Sequence, residues 1–148
     1  NKIQRIHVTK PLDLVMVSTG ITQETKEVVA DVKGEKEKHP AKFEKIFSNY
    51  KNIFAEALVA FDKCDAHAIG KLMDKNQELL REITVSCPEI EEIIAVAKRN
   101  GALGAKLTGT GRGGLVICLA EDEHHAKKIA KAIENEEFET SITTIGKN

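Results

Sequence analysis

The chain has 148 residues, 41% of them hydrophobic and 30% charged, with a formal net charge of −1. That balance describes one folded domain over residues 1–148 and excludes disorder. It also excludes a protein that grips a nucleic-acid backbone, which needs a concentrated excess of Lys and Arg, and no apolar run approaches the roughly 18 residues of a membrane span.

The sequence opens at Asn1 without a methionine, and Ile6, Val8, Leu12, Leu14 and Met16 alternate in the manner of a strand. The β-branched-rich run Leu12 to Ser18, closed by Thr19 and Gly20, predicts a buried strand. A helix is expected from Thr22 to Val32, with Thr22 as its cap and Gly34 past its end, followed by a charged loop from Gly34 to Pro40. Phe43, Phe47, Tyr50, Phe54, Ala57, Leu58 and Phe61 recur at helical spacing and predict a long helix whose aromatic stripe belongs to the core. Asp65 is placed to cap the next helix, with Ala68, Ile69, Leu72, Met73, Leu79, Leu80 and Ile83 on its apolar face.

Ser86, Cys87, Pro88 and Glu89 form the pattern of a capping box, opening a helix that ends near Asn100 and Gly101. Two short strands, Ala105 to Gly109 and Leu115 to Ala120, are followed by a helix from Glu121 to Asn135 and a last strand from Phe138 to Ile145. Cys64, Cys87 and Cys118 lack the spacing of a zinc site or a disulfide framework, so buried thiols and a cytoplasmic setting are expected. With the helices between Thr22 and Val85 set aside, the order is that of an α+β, ferredoxin-like β-α-β-β-α-β sandwich with inserted helices. In that wiring we expect the end of the first strand and the connection between the second and third to lie at opposite ends of the sheet, so that either Thr19 to Glu24 would have to reach back or the strand order is incomplete.

That second connection concentrates four of the ten glycines: Thr108, Gly109, Thr110, Gly111, Arg112, Gly113 and Gly114. Missing Cβ atoms let consecutive amides converge on an anion, and Arg112 would add a positive fork. The alternative is a hairpin turn, for which one or two glycines suffice. No GK[ST] follows, and a strand stands where a dinucleotide fingerprint needs a helix. His124 and His125 are adjacent rather than four apart, so no metal pair is expected, and Glu121, Asp122 and Glu123 read as charges complementing a helix start.

The stretch GAKLTGTGRGG, Gly104 to Gly114, resembles the third sequence motif of the GHMP kinases. LDLVMVSTGITQETKEVV and MDKNQELLREITVS extend the likeness over nearly the whole chain, most closely to the mevalonate kinases of archaeal and bacterial type. The resemblance implies the C-terminal domain of an ATP-dependent kinase of mevalonate, in which Thr108 to Gly114 lie beside the nucleotide phosphates and Thr25 and Lys26 face the substrate. It implies ATP and Mg²⁺, with the magnesium ligand and the catalytic aspartate in an N-terminal domain outside these residues, so that no catalytic or metal residue is expected here and the 148 residues alone are expected to be inactive. A homodimer, another GHMP kinase acting on phosphomevalonate or homoserine, and a stand-alone module binding a phosphorylated metabolite remain alternatives. Thr110 stands where the family usually has alanine, and Val29 where the homoserine branch tends to have arginine.

Overall fold

A computed structural model describes residues 3–146. Its elements are β1 (Leu12–Ser18), α1 (Thr25–Lys38), α2 (Pro40–Asp62), α3 (Ala66–Glu82), α4 (Pro88–Arg99), β2 (Gly104–Thr108), β3 (Leu115–Ala120), α5 (Glu123–Glu134) and β4 (Glu139–Ile145). The strands form one antiparallel sheet in the order β2-β3-β1-β4, the ferredoxin-like arrangement expected. Among the described residues no helix is long and apolar enough to cross a membrane.

Alternation along the strands splits the sheet into two faces. Val15, Val17, Ala105, Leu107, Val116 and Cys118 pack with Ile90, Ile93, Ile129 and Ile133 of α4 and α5 into the main core, which Val28 of α1 joins. Leu12 and Leu119 point the other way and meet Ala60, Ile69 and Leu72 of α2 and α3 in a second, smaller cluster. Local signals set the helix ends. Asp65 accepts a hydrogen bond from the Ala68 amide at 3.0 Å, as expected, and Asp122 accepts one from His125 at 2.8 Å. Caps of this kind stabilise a helix by about 1 kcal/mol.

Several expectations give way. Among the described residues no strand precedes Leu12. The segment Gly34 to Lys38 is helical, so α1 runs on to Lys38 and only His39 separates it from α2; an interior glycine costs a helix only about 1 kcal/mol, and an i,i+3 contact of Lys38 with Glu35 supports this turn. Thr22 does not cap α1, whose N-cap is Glu24. The capping box does not form: Cys87 is the N-cap of α4 and Ser86 turns to Glu91 instead. Of the three thiols only Cys118 is buried, and burial pushes it up to about 12.

The aromatic stripe is the largest correction. Phe43 is buried, but Phe47, Tyr50 and Phe54 are 42%, 52% and 57% exposed, while Ile46 and Ala60 take the inward positions. Periodicity identified an apolar face, yet α2 rests on α3 rather than squarely on the sheet, so part of that face is left over an open groove.

The helix α3 lies along the edge strand β2, and the contact is a backbone-to-backbone seam. A Cβ on Gly104 would overlap the main chain of Gly70, and one on Gly70 would overlap Leu103. We expect Gly104→Ala to destabilise the protein by at least about 2 kcal/mol in urea unfolding, as overpacking does. Gly34→Ala, in open space within α1, should instead stabilise it by about 0.5–1 kcal/mol. An unchanged midpoint for Gly104→Ala would mean that the seam is looser than described.

Candidate functional site

The strands β1 and β2 run parallel with β3 antiparallel between them, because the helical crossover returns the chain to the end of the sheet where β1 began. Their C-terminal ends therefore lie at the same end of the sheet, and the expected separation of Thr19 to Glu24 from the glycine connection is overturned. Ser18 pairs with Leu115, the residue that follows the loop. The Thr19 amide and its hydroxyl both donate to the Gly114 carbonyl at 2.9 Å, and the Gly114 amide donates to the Ile21 carbonyl at 2.9 Å. Thr19 Oγ1 in turn accepts from the Ile21 amide at 3.2 Å.

The glycines of the loop divide into two kinds. Gly111, at φ +87°, faces the Val85 carbonyl, and Gly113, at φ +142°, has the Ile21 carbonyl 2.6 Å from where a Cβ would stand, so both are required by protein packed against them. Gly109, at φ +89°, has nothing within 4 Å of that position. The Arg112 amide donates to Val85 at 2.6 Å. Among the described residues the amides of Gly109, Thr110, Gly111 and Gly113 meet no internal acceptor outside the regular elements. Unpaired N–H groups beside glycines at positive φ are the material of an anion nest; of these four residues Gly109 and Thr110 are exposed and Gly111 and Gly113 buried.

Arg112 serves another purpose than a free fork. Its Nε donates to the Thr84 carbonyl at 3.0 Å, Nη2 to the Thr84 hydroxyl at 3.3 Å, and Nη1 to Asp31 Oδ2 at 2.5 Å. The guanidinium thus straps the loop to the α3–α4 connection and to α1. Thr84 and Arg112 both sit at positive φ, 69° and 52°, a conformation costing non-glycine residues of the order of 1 kcal/mol.

Beneath the loop lies Gln77, only 1% exposed. Its Oε1 accepts from the Leu107 amide at 2.9 Å, and its Nε2 donates to Ser86 Oγ and Glu91 Oε1, each at 3.2 Å. One turn earlier Asp74 Oδ1 accepts from the Ala105 amide at 3.0 Å while Lys98 holds its other oxygen. The i,i+3 spacing of Asp74 and Gln77 presents one acceptor to each outward amide of an edge strand, as a fifth strand would. Burial alone would push Glu91 up, but hydrogen bonds from Arg81, Ser86 and Gln77 outweigh it and hold its carboxyl below the usual range.

Thr25 and Lys26 open α1, whose N-cap Glu24 makes no side-chain cap bond; the Glu27 amide donates to the Glu24 carbonyl at 3.0 Å, and the Thr25 and Lys26 amides are left at the positive end of the helix. Three residues separate Thr25 from Ile21, which places the helix start within about 14 Å of the loop. Thr19, Asp31, Gln77 and Thr84 escaped the sequence reading. Gln77 left a signal: it stands four after Met73 and three before Leu80, a polar amide on an apolar face. Among the described residues no group of three or more His, Cys, Asp or Glu side chains could hold a metal ion.

The sequence family described as GHMP kinases C terminal matches residues 57–140. Mevalonate kinase of Archaeoglobus fulgidus is 39% identical over 81% of this chain and 40% of its own length, and that of Aeropyrum pernix is 34% identical over 90% of this chain and 42% of its own. The crystal structure of L. major mevalonate kinase in complex with R-mevalonate superposes with a TM-score of 0.89 at 36% identity, covering 95% of this chain and 44% of that one. The chain spans about two-fifths of the length of these curated relatives.

Removing the Gln77 amide strands the Leu107 N–H at a buried edge. Gln77→Ala should cost about 1–3 kcal/mol and speed hydrogen exchange at Leu107 and Arg112 more than at Ile129 of α5. Uniform acceleration at all three amides would show that Gln77 supports the fold without selecting the loop.

Proposed function

The chain belongs to the GHMP kinases, as an instance of their C-terminal domain, and on that premise we propose that it forms one wall of the cleft in which a mevalonate kinase transfers the γ-phosphoryl group of ATP to the mevalonate 5-hydroxyl. The observation that carries the reading is the loop itself: four unpaired amides, Gly109, Thr110, Gly111 and Gly113, on a backbone fixed by Thr19, Ile21, Val85 and Arg112. The choice of acceptor follows the names of the relatives, at 34–39% identity over most of the chain.

Phosphoryl transfer is accelerated chiefly by positioning and by donors fixed where charge gathers. In this proposal the loop amides donate to phosphate oxygens without having to reorganise, since the bonds that shape the loop use other groups. Arg112 acts as the strap that holds them rather than as a phosphate ligand. The uncapped start of α1, with Thr25 and Lys26, faces the acceptor and adds a positive end to the same region. Mg²⁺ would neutralise the nucleotide in the assembled enzyme, but the described residues do not fit a metal site, and no step here runs through it. Its ligands and the group that positions the hydroxyl are assigned to an N-terminal domain, so the 148 residues by themselves should not turn over.

Two kinds of glycine give two kinds of defect in the full-length protein. Gly109→Ala should lower kcat/KM for ATP by at least about tenfold, some 1.4 kcal/mol, with a fall in stability limited to about 1 kcal/mol for a side chain at positive φ, because it meets no collision. Gly113→Val should lower activity and stability together, since its side chain would strike Ile21. Normal kinetics in a folded Gly109→Ala protein would reduce the loop to a turn.

Thr25→Ala should raise KM for mevalonate or lower kcat while leaving the affinity for ATP nearly intact, read from separate titrations of the two substrates. Selective loss of ATP binding would show that the start of α1 faces the nucleotide instead.

A further inference from the structure

The face of the sheet opposite α4 and α5 is only partly covered. Between it and α2 lies a groove of about 280 Å³, close to the small end of ligand pockets. Its floor is Leu14, Ile117 and Leu119, its far wall includes Phe61 and Leu72, and Tyr50 and Phe54 stand exposed at the rim. One lining residue is charged, Lys106, and none is acidic.

The polar groups gather at one end. Lys106 is opposite Ile117 in the ladder, one row nearer the glycine loop than Leu119 and two rows nearer than the Leu12–Ile145 pair. The helix α3 meets Gly104 through Gly70 and Leu107 through Gln77, so Asn76 comes level with Lys106 while Ile69 and Leu72 lie toward the apolar end. The Lys106 ammonium is withdrawn from water, which holds its pKa below the usual lysine range. Its Nζ donates to the Leu107 carbonyl at 2.6 Å, and among the described residues no carboxylate lies within ion-pair distance of it. A cation drawn into an apolar wall without a counter-charge is unfavourable by itself, and the missing partner is an anion.

We propose that this groove binds a small amphiphile, its linear apolar tail over Leu14, Ile117 and Leu119 and its anionic head, carboxylate or phosphate, on Lys106 with Asn76 beside it. The two features require each other. An uncharged chain would leave the ammonium unpaired, and a bare anion would leave the groove empty. The site is separate from the nest of loop amides, being built on the side chains of the sheet face rather than on main chain at its edge, and the proposal does not depend on the kinase reading.

The test is binding to the full-length protein, followed by titration calorimetry and by methyl shifts of Leu14, Ile117 and Ile145, with decanoate, decyl phosphate, octanoate and decan-1-ol as probes. Both ten-carbon anions should bind and move those methyls, and decan-1-ol should bind at least about tenfold more weakly. Decanoate should exceed octanoate by at least about fivefold, since each buried methylene strengthens binding about fourfold at full burial. Lys106→Met should weaken the anions at least about tenfold and leave decan-1-ol unchanged, and Lys106→Arg should restore them. The stronger of decanoate and decyl phosphate identifies the head group. Absence of binding, as when another segment or a second copy covers the groove, would overturn the proposal, as would equal affinity for decan-1-ol and decanoate, insensitivity to Lys106→Met, or shifts confined to other methyls.

Discussion

The seam between α3 and the edge strand β2 is the constraint on which the rest depends. An edge strand exposes amides that must be paired, covered or left to water, and here Asp74 and Gln77 accept from Ala105 and Leu107. That is possible only because Gly70 and Gly104 let the two backbones approach without a Cβ between them. Fixing α3 at this edge sets where the α3–α4 connection arrives, and Val85 and Thr84 of that connection are what the glycine loop and Arg112 rest on. It also carries α2 away from the centre of the sheet. The fixed loop and the open apolar groove are thus two consequences of one packing choice.

The loop shows why a count of glycines is a coarse guide to chemistry. Gly111 and Gly113 are explained by close approach of Val85 and Ile21, with no ligand needed. Gly109 has open space before it and Gly114 only an ordinary 4.0 Å contact with the Thr108 carbonyl, and the functional reading rests on Gly109 and on the amides left unpaired around it. Arg112 is not the free fork expected: its guanidinium is committed to Asp31 and Thr84 and holds a conformation in place, and in the proposed reading the partial charges of the backbone meet the anion. Preorganised dipoles of this kind act without moving, the property that electrostatic stabilisation of a transferring group requires.

The strand order, the positions of β1 and β3 and the Asp65 cap were legible in the sequence because each is written in local periodicity or cap chemistry. The meeting of Thr19 and Gly114 at one end of the sheet was not: it follows from the parallel relation of β1 and β2, which depends on how a long helical crossover returns. The exposure of Phe47, Tyr50 and Phe54 was hidden for a related reason, since a 3.6-residue period identifies an apolar face without saying what covers it. Gln77 could have been suspected as an amide on an apolar stripe, but its partners, 9 to 30 residues away in sequence, come together only in the fold. The glycine loop itself stood out at once, while the division of labour among its glycines needed the carbonyls of Val85 and Ile21.

The central claim is that the unpaired loop amides face the phosphates of a bound nucleotide while the paired ones keep the loop in shape. Backbone amide chemical shifts of the full-length protein, recorded with and without a non-hydrolysable ATP analogue, test it directly. The account predicts large downfield shifts at Gly109, Thr110, Gly111 and Gly113, with Arg112 and Gly114 little changed because their amides remain on Val85 and Ile21. Saturation with nucleotide that leaves the four amides unmoved, or moves Arg112 and Gly114 in their place, would contradict it.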